Sequence, residues 1–368
     1  MPLPNLTRRD FTKLTALGLA SQAIPDLAQT PPRKIGYCVI GLGRIADHFM
    51  RGVRDSSTSQ ITGLVSGHRD KALKLAAEYG VPETSIYSYE QMDAMRSNKA
   101  IDAVYVALPN NMHAEYTIRS AKAGKHVLCE KPMSISVAEA EAMIAACKAA
   151  NVKLMIAYRL HYEPTTLHAI KLIRDGALGT VQSISSANGF NIAKGEWRAT
   201  KALGGGGPLM DVGIYCLNAM RYLTGEEPTA FTATASTIDH DGRFDTVEEN
   251  TAWTMKFPSG ITTSCTTTYG ASMPGYYRVY GSKGSMEVGS FGYQNIRLQA
   301  SFTAEKGATP TKLDETNPEP DPKQFTRQAD HFTDCILNNK TPATPGEEGL
   351  RDMQYMREIY RAAGITAL

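Results

Sequence analysis

The run of apolar and small residues from Ile35 to Ile40 passes directly into Gly41-Leu42-Gly43-Arg44-Ile45-Ala46. A helical pattern through Phe49 and Val53 follows. A G-x-G-x-x-A turn between a strand and a helix is the fingerprint of a dinucleotide-binding βαβ unit. In that context Gly41 makes the tight turn. Gly43 lets the backbone approach a pyrophosphate, and Ala46 permits close helix–strand packing. The free N–H groups at the helix start, with its macrodipole, then hold the phosphates. Gly41, Leu42, Gly43, Arg44 and Ile45 are therefore candidate cofactor residues.

The end of the next strand, 61–66, selects between dinucleotides. NAD sites usually carry Asp or Glu there, on the ribose 2′-hydroxyl. This chain has Ser66-Gly67-His68-Arg69-Asp70-Lys71 instead. A serine can donate to a 2′-phosphate, and Arg69 and Lys71 can neutralise it. The turn predicts NADP; Asp70, one turn late for the acidic position, keeps NAD open.

Strand and helix patterns continue to alternate: helix 71–79, strand 101–109, helix 112–124, strand 126–129, helix 137–150, strand 153–158. Alternation of this kind predicts a parallel sheet covered on both faces, with ligands at the carboxyl ends of its strands. Leu108-Pro109-Asn110 with His113, Glu130-Lys131-Pro132, and Tyr158-Arg159-Leu160-His161 fall at such ends. Beyond residue 180 the texture changes to β-branched and aromatic clusters at 181–190, 229–238, 248–257, 261–269, 276–280 and 285–288. Pro258-Ser259-Gly260 and Gly281-Ser282-Lys283-Gly284 form hairpin-like connections. A helix-like segment, 209–223, carries Asp211 and Tyr215, and two helices at 325–338 and 347–363 end the chain. The expected fold class is an α/β Rossmann domain (31–157) plus an α+β domain (158–368). The second has an open, mostly antiparallel sheet, one face packed on helices and the other needing a cover, which predicts a homodimer or homotetramer.

Residues 1–30 read differently. Thr7-Arg8-Arg9-Asp10-Phe11-Thr12-Lys13 precedes the mildly apolar 14–24, with Ala23 and Ala28 as candidate cleavage positions. This resembles a twin-arginine export signal, which moves folded proteins with their cofactor in place and implies a periplasmic destination. The net charge of +2 argues against a nucleic-acid partner, and no apolar run is long enough to span a bilayer after export. The six cysteines are scattered without metal-like spacing, so no metal site is expected.

The motifs Gly41-Leu42-Gly43, Leu108-Pro109-Asn110, Glu130-Lys131-Pro132 and Met210-Asp211-Val212-Gly213-Ile214-Tyr215 together resemble the Gfo/Idh/MocA oxidoreductases. The likeness extends over nearly the whole chain after the signal. It is similar to the glucose–fructose oxidoreductase branch in Leu64-Val65-Ser66-Gly67, Leu154-Met155-Ile156-Ala157-Tyr158-Arg159 and Pro345-Gly346-Glu347-Glu348-Gly349. The resemblance implies a sugar substrate and a site lined by Lys131, Asp211 and Tyr215. It further implies cofactor contacts from Leu108, Pro109, Asn110, His113, Glu130, Lys131 and Arg159. In that branch a long arm precedes the first strand and helps enclose the cofactor; here it is only Gln29-Thr30-Pro31-Pro32-Arg33.

Oxidation of an aldose at C1 needs a hydride acceptor and a base for the hydroxyl proton. Tyr215 is the candidate base. A free tyrosine titrates near pH ~10, so a neighbouring cation is required, which Lys131 can supply. Asp211 can bond sugar hydroxyls or orient Lys131. Tyr158, His161 and Tyr269 are candidate pocket residues. The leading expectation couples aldose oxidation to reduction of a second sugar on one bound cofactor. An ordinary cofactor-exchanging sugar dehydrogenase and an NAD-dependent glycoside hydrolase are the alternatives.

Overall fold

A computed structural model describes residues 33–305 and 307–366; the Arg8-Arg9 motif and the candidate cleavage positions lie outside the described residues. The chain opens with β1 (Ile35–Ile40), α1 (Arg44–Arg54), β2 (Ser59–Val65), α2 (Arg69–Tyr79), the short β3 (Ile86–Tyr87) and β4 (Ala103–Val106). It continues through α3 (His113–Lys122), β5 (His126–Cys129), α4 (Val137–Ala149) and β6 (Leu154–Ile156). These six strands form one parallel sheet in the order β3-β2-β1-β4-β5-β6. The order reverses between β1 and β4, which opens a crevice at their carboxyl ends. Burial on both faces explains the apolar runs: all six β1 residues are buried, as are all four of β4.

Next comes α5 (Pro164–Arg174), a helix that the pattern reading missed. Its start is nonetheless encoded locally, since Pro164 occupies the first turn and the Glu163 carboxylate accepts from the Thr166 N–H at 2.6 Å. β7 (Val181–Gly189), the short α6 (Lys201–Gly204), α7 (Ile214–Thr224), β8 (Ala230–Ser236), β9 (Asn250–Lys256), β10 (Thr262–Thr268), β11 (Met273–Gly281) and β12 (Gly284–Val288) follow. Then come β13 (Arg297–Phe302), β14 (Thr311–Thr316), α8 (Lys323–Leu337) and α9 (Gly346–Ala362). β13 and β14, also missed, extend the sheet at its edge.

The second sheet runs β14-β13-β12-β11-β7-β10-β9-β8. Every neighbouring pair is antiparallel except β7 with β10, which is parallel. Along β9 the residues alternate, Trp253 and Met255 pointing inward and Ala252, Thr254 and Lys256 outward. The inner face packs on α5, α7 and α9. The outer face is rich in hydroxyls; Thr232 and Thr254 bond across β8 and β9 at 2.6 Å.

Residues 209–223 are not one continuous α-helix. Leu209–Gly213 forms a π-helical turn that leads into α7. Such widened turns concentrate at functional sites, and this one holds Asp211.

Candidate active site

The β1–α1 turn is shaped by two glycines in different ways. Gly41 has φ +87°, and a Cβ there would stand 2.5 Å from the Ala107 carbonyl oxygen, so conformation and space both exclude a side chain. At Gly43 nothing lies within 4 Å of a Cβ position, and α1 begins without a side-chain cap. The uncapped N–H groups thus face open room of the kind a pyrophosphate needs. Leu42 is buried in the core, Arg44 is exposed and Ile45 is half-buried. We expect Gly41→Ala to weaken dinucleotide binding by about tenfold or more, because an L-residue in this conformation costs about 1–2 kcal/mol and the turn must also move off Ala107. Fluorescence titration with NADPH measures the effect.

At the end of β2, Ser66 turns its hydroxyl into its own loop, accepting from the His68 N–H at 3.0 Å and donating to the His68 carbonyl at 3.3 Å. It shapes the turn rather than projecting from it. Gly67, Arg69 and Lys71 are exposed at the start of α2, which also lacks a side-chain cap, and Arg69 lies 3.5 Å from Glu83. Between β4 and α3, Leu108 and Asn110 are buried and Pro109 is half-buried. Asn110 donates to the Gly204 carbonyl at 2.9 Å and so ties this loop to the one that precedes the π-turn. Asn111 Oδ1 is buried without a partner, an acceptor suited to a donor on the dinucleotide. The residues present therefore fit a dinucleotide. His113 is fully enclosed, its ring nitrogens 2.8 Å from the Pro132 carbonyl and 2.9 Å from that of Leu108. Burial pushes its pKa down to about 4. Both ring nitrogens face carbonyl oxygens of two strand-end loops, so no ring atom is left for a cofactor, contrary to the sequence expectation.

After β5, Glu130 accepts from the Tyr105 hydroxyl and from the Lys131 N–H, so its carboxylate is likewise engaged inside the protein. Burial holds its carboxyl above the usual range. Lys131 reaches across to the second domain. Its Nζ donates to the Asp211 carbonyl at 2.7 Å and to Asp211 Oδ1 at 3.1 Å, and stands 4.6 Å from the Tyr215 ring centroid. Asp211 Oδ2 accepts from the Tyr269 hydroxyl at 2.9 Å and lies 3.5 Å from Arg198 Nε. Burial opposes both charges. Tyr215, Asp211 and Glu130 outweigh it at Lys131, whose pKa is raised. Lys131 and Arg198, helped by Tyr269, outweigh it at Asp211, whose pKa is lowered. Burial and the Asp211 charge keep Tyr269 a phenol. Tyr269 is enclosed beneath Asp211, so it holds the carboxylate instead of lining the pocket.

Arg159, expected to contact cofactor, is buried under Tyr215. Its Nη2 donates to the Tyr215 hydroxyl at 3.4 Å and to the Phe291 carbonyl, and Nη1 to the Gly292 carbonyl at 2.6 Å and Gln324 Oε1 at 2.7 Å. Tyr215 stacks on Phe291, 5.8 Å between centroids. Tyr158 and His161 correct the pocket expectation. Tyr158 donates to buried Asp352 at 2.6 Å, and His161 pairs with Asn218 at 2.8 Å. Asn218 also bonds Asp352, so both residues belong to a buried polar network and not to the Lys131–Asp211–Tyr215 cluster. Arg198, Phe291, Tyr293 and Gln324 escaped the sequence reading, because they lie in or beside loops with no motif to mark them.

A parallel dinucleotide crevice, closed by a second domain that supplies a carboxylate and a phenol to a strand-end lysine, defines a nicotinamide-dependent oxidoreductase. Residues 35–158 match the model of an oxidoreductase family with an NAD-binding Rossmann fold, and residues 166–287 match the GFO/IDH/MocA C-terminal domain. The chain belongs to the GFO/IDH/MocA oxidoreductase family. It is 30% identical over 337 residues to D-xylose 1-dehydrogenase [NADP(+)] of Haloarcula marismortui, covering 89% of this chain and 91% of that protein. Aldose-aldose oxidoreductase from Caulobacter crescentus, solved with glycerol, is 45% identical with a TM-score of 0.85, over 90% of this chain and 98% of that one. Levoglucosan dehydrogenase, at 21% identity and a TM-score of 0.79 over 90% and 98% of the two chains, shares the fold.

Proposed function

We propose that this chain is an NADP-dependent oxidoreductase that oxidises an aldose at C1 to the lactone and reduces a second sugar on the same bound cofactor. The observation that carries this reading is the Lys131–Asp211–Tyr215 cluster after β5 of the parallel sheet that carries the dinucleotide turn, in a chain 45% identical to an aldose-aldose oxidoreductase. A bound nicotinamide would accept and return the hydride. Lys131, held as an ammonium by Asp211, has no lone pair with which to take a proton, so it orients the sugar hydroxyl. Tyr215 is the proton acceptor, and both Lys131 and Arg159 place positive charge against it. Asp211 orients Lys131. In the second half-reaction the Tyr215 hydroxyl protonates the carbonyl oxygen of the acceptor sugar. Exposed Arg69 and Lys71 at the uncapped start of α2 support NADP over NAD.

The D-xylose 1-dehydrogenase relatives favour a second reading, a dehydrogenase that exchanges its cofactor. An absorbance spectrum of protein purified without added cofactor separates the two. A reduced-nicotinamide band that appears with an aldose and fades with a second sugar supports the closed cycle. A band that appears only once NADP is supplied supports the dehydrogenase. The Thr7–Lys13 motif supports export by the twin-arginine route to the periplasm, where a retained cofactor would suit the absence of a free pool; mass spectrometry of the exported protein locates the cleavage. The open hydroxyl-rich sheet face supports a homodimer or homotetramer, which mass measurement in solution tests.

A further inference from the structure

Phe291, Gly292 and Tyr293 lie in the turn between β12 and β13, and the turn is held from below. Arg159 donates to the Phe291 and Gly292 carbonyls, and Gln324 Nε2 donates to the Gly292 and Tyr293 carbonyls at 3.2 and 3.1 Å. The Tyr293 ring stacks on His48 of α1, 4.5 Å between centroids with planes 19° apart, and the Arg159 guanidinium carbon sits 4.3 Å from its centroid. His48 is fixed in turn by Asp321 at 2.7 Å, a carboxylate that Arg51 also bonds at 2.8 Å. His48 and the Arg159 guanidinium both pack against the Tyr293 ring. The residue remains 37% exposed. Tyr293 and Tyr215 thus flank a single guanidinium, the one that donates to the Tyr215 hydroxyl.

We infer that Tyr293 is a sugar-binding residue of this site, which holds a substrate hydroxyl other than the one at the oxidised carbon. The inference rests on the aldose oxidoreductase reading above. A phenol is donor and acceptor at once, which suits a ligand dense in hydroxyls, and a ring already locked by stacking loses little freedom when it binds. Burial, and then the neighbouring Tyr215, hold its proton on, while the charges of Arg159, Lys131 and Glu130 also reach the hydroxyl.

The test is Tyr293→Phe in the full chain, assayed with an aldose, with its monodeoxy analogues, and by NADPH titration. The substitution keeps the ring and its stacking partners. The expected result is a KM for the aldose raised roughly tenfold, as for one lost hydrogen bond near a charge, with kcat changed less than about threefold. Dinucleotide affinity should be unchanged. One monodeoxy sugar should bind wild type and variant equally, which identifies the hydroxyl that Tyr293 holds. An unchanged KM overturns the assignment. So does a shift in NADPH affinity with KM unmoved, which would give Tyr293 to the cofactor. Wild-type protein that oxidises no aldose overturns the reading of function as well, whereas active wild type beside an unaltered variant overturns the Tyr293 assignment alone.

Discussion

Tyr215→Phe is expected to lower the rate of aldose oxidation by about 10²–10⁴-fold while NADPH affinity stays within about twofold of wild type, the span usual for loss of a general acid–base group. The phenyl ring keeps its stacking on Phe291 and its place beside Lys131. What disappears is the oxygen that receives the Arg159 N–H and, in the reaction, the sugar proton. Lys131→Met is the companion experiment. It removes the ammonium but leaves Asp211 held by Tyr269 and Arg198, so the carboxylate stays compensated in part. A loss of comparable size with retained NADPH binding is expected there too. Single-turnover formation of reduced nicotinamide, followed by absorbance, separates chemistry from product release. Near-wild-type rates in both variants would remove Tyr215 and Lys131 from the mechanism.

The second large effect falls on stability, away from the reacting atoms. Arg221→Met should destabilise the protein by about 3–5 kcal/mol, as when one partner of a buried ion pair is removed. The Arg221 guanidinium, only 4% exposed, bonds Glu348 at 2.7 Å, Glu227 at 2.6 and 2.9 Å, and fully buried Asp352. Asp352 also accepts from Tyr158 and Asn218, so the strand-end loop before Arg159 rests on the same cluster. Burial already pushes the Asp352 pKa up to about 6 against the pull of Arg221. A carboxyl raised on folding contributes stability below its unfolded pKa and loses that contribution as pH rises through the folded value. Without Arg221 the folded pKa rises further. The native state then holds a proton that the unfolded chain releases, and the variant's deficit widens with pH. Denaturant midpoints of variant and wild type at about pH 5 and about pH 8 check this, with the larger gap expected at the higher pH. A gap below about 1 kcal/mol at both values would mean that the cluster is dispensable.

What could be read from the residue order is what short stretches dictate. Gly41 and Gly43 act through the backbone of their own turn, and the strand that feeds it is apolar because both faces of a parallel sheet are covered. The strand-end position of Lys131, and the placing of Asp211 and Tyr215 on one helical segment, follow from the same local rules. The start of α5 was legible too, in Glu163 and Pro164, and Ala169, Ile170, Leu172 and Ile173 carry its apolar face. Of β13 and β14, the second carries exposed residues at most positions, so the alternation that reveals a half-buried strand is absent.

Only the tertiary structure decided which side chains at the strand ends meet. Lys131 and Asp211 are 80 residues apart, Asp211 and Tyr269 are 58, and Arg159 reaches the Phe291 loop across 132. Tyr158 and Arg159 are neighbours in sequence, yet one hydroxyl enters the Asp352 network while the next side chain lies under Tyr215. The backbone enters a 3-10 turn at Arg159, and nothing local says which side will face Lys131. His113 and Glu130 stand in motif positions, but their polar atoms are spent on Leu108, Pro132 and Tyr105. Sequence by itself determined the dinucleotide turn, the two sheet types and the lysine, aspartate and tyrosine at issue, because backbone conformation and hydrophobic period are local. The assignment of each polar group to site or scaffold was left to the packing of the two domains, because a buried donor or acceptor takes whatever partner the distant chain brings within reach.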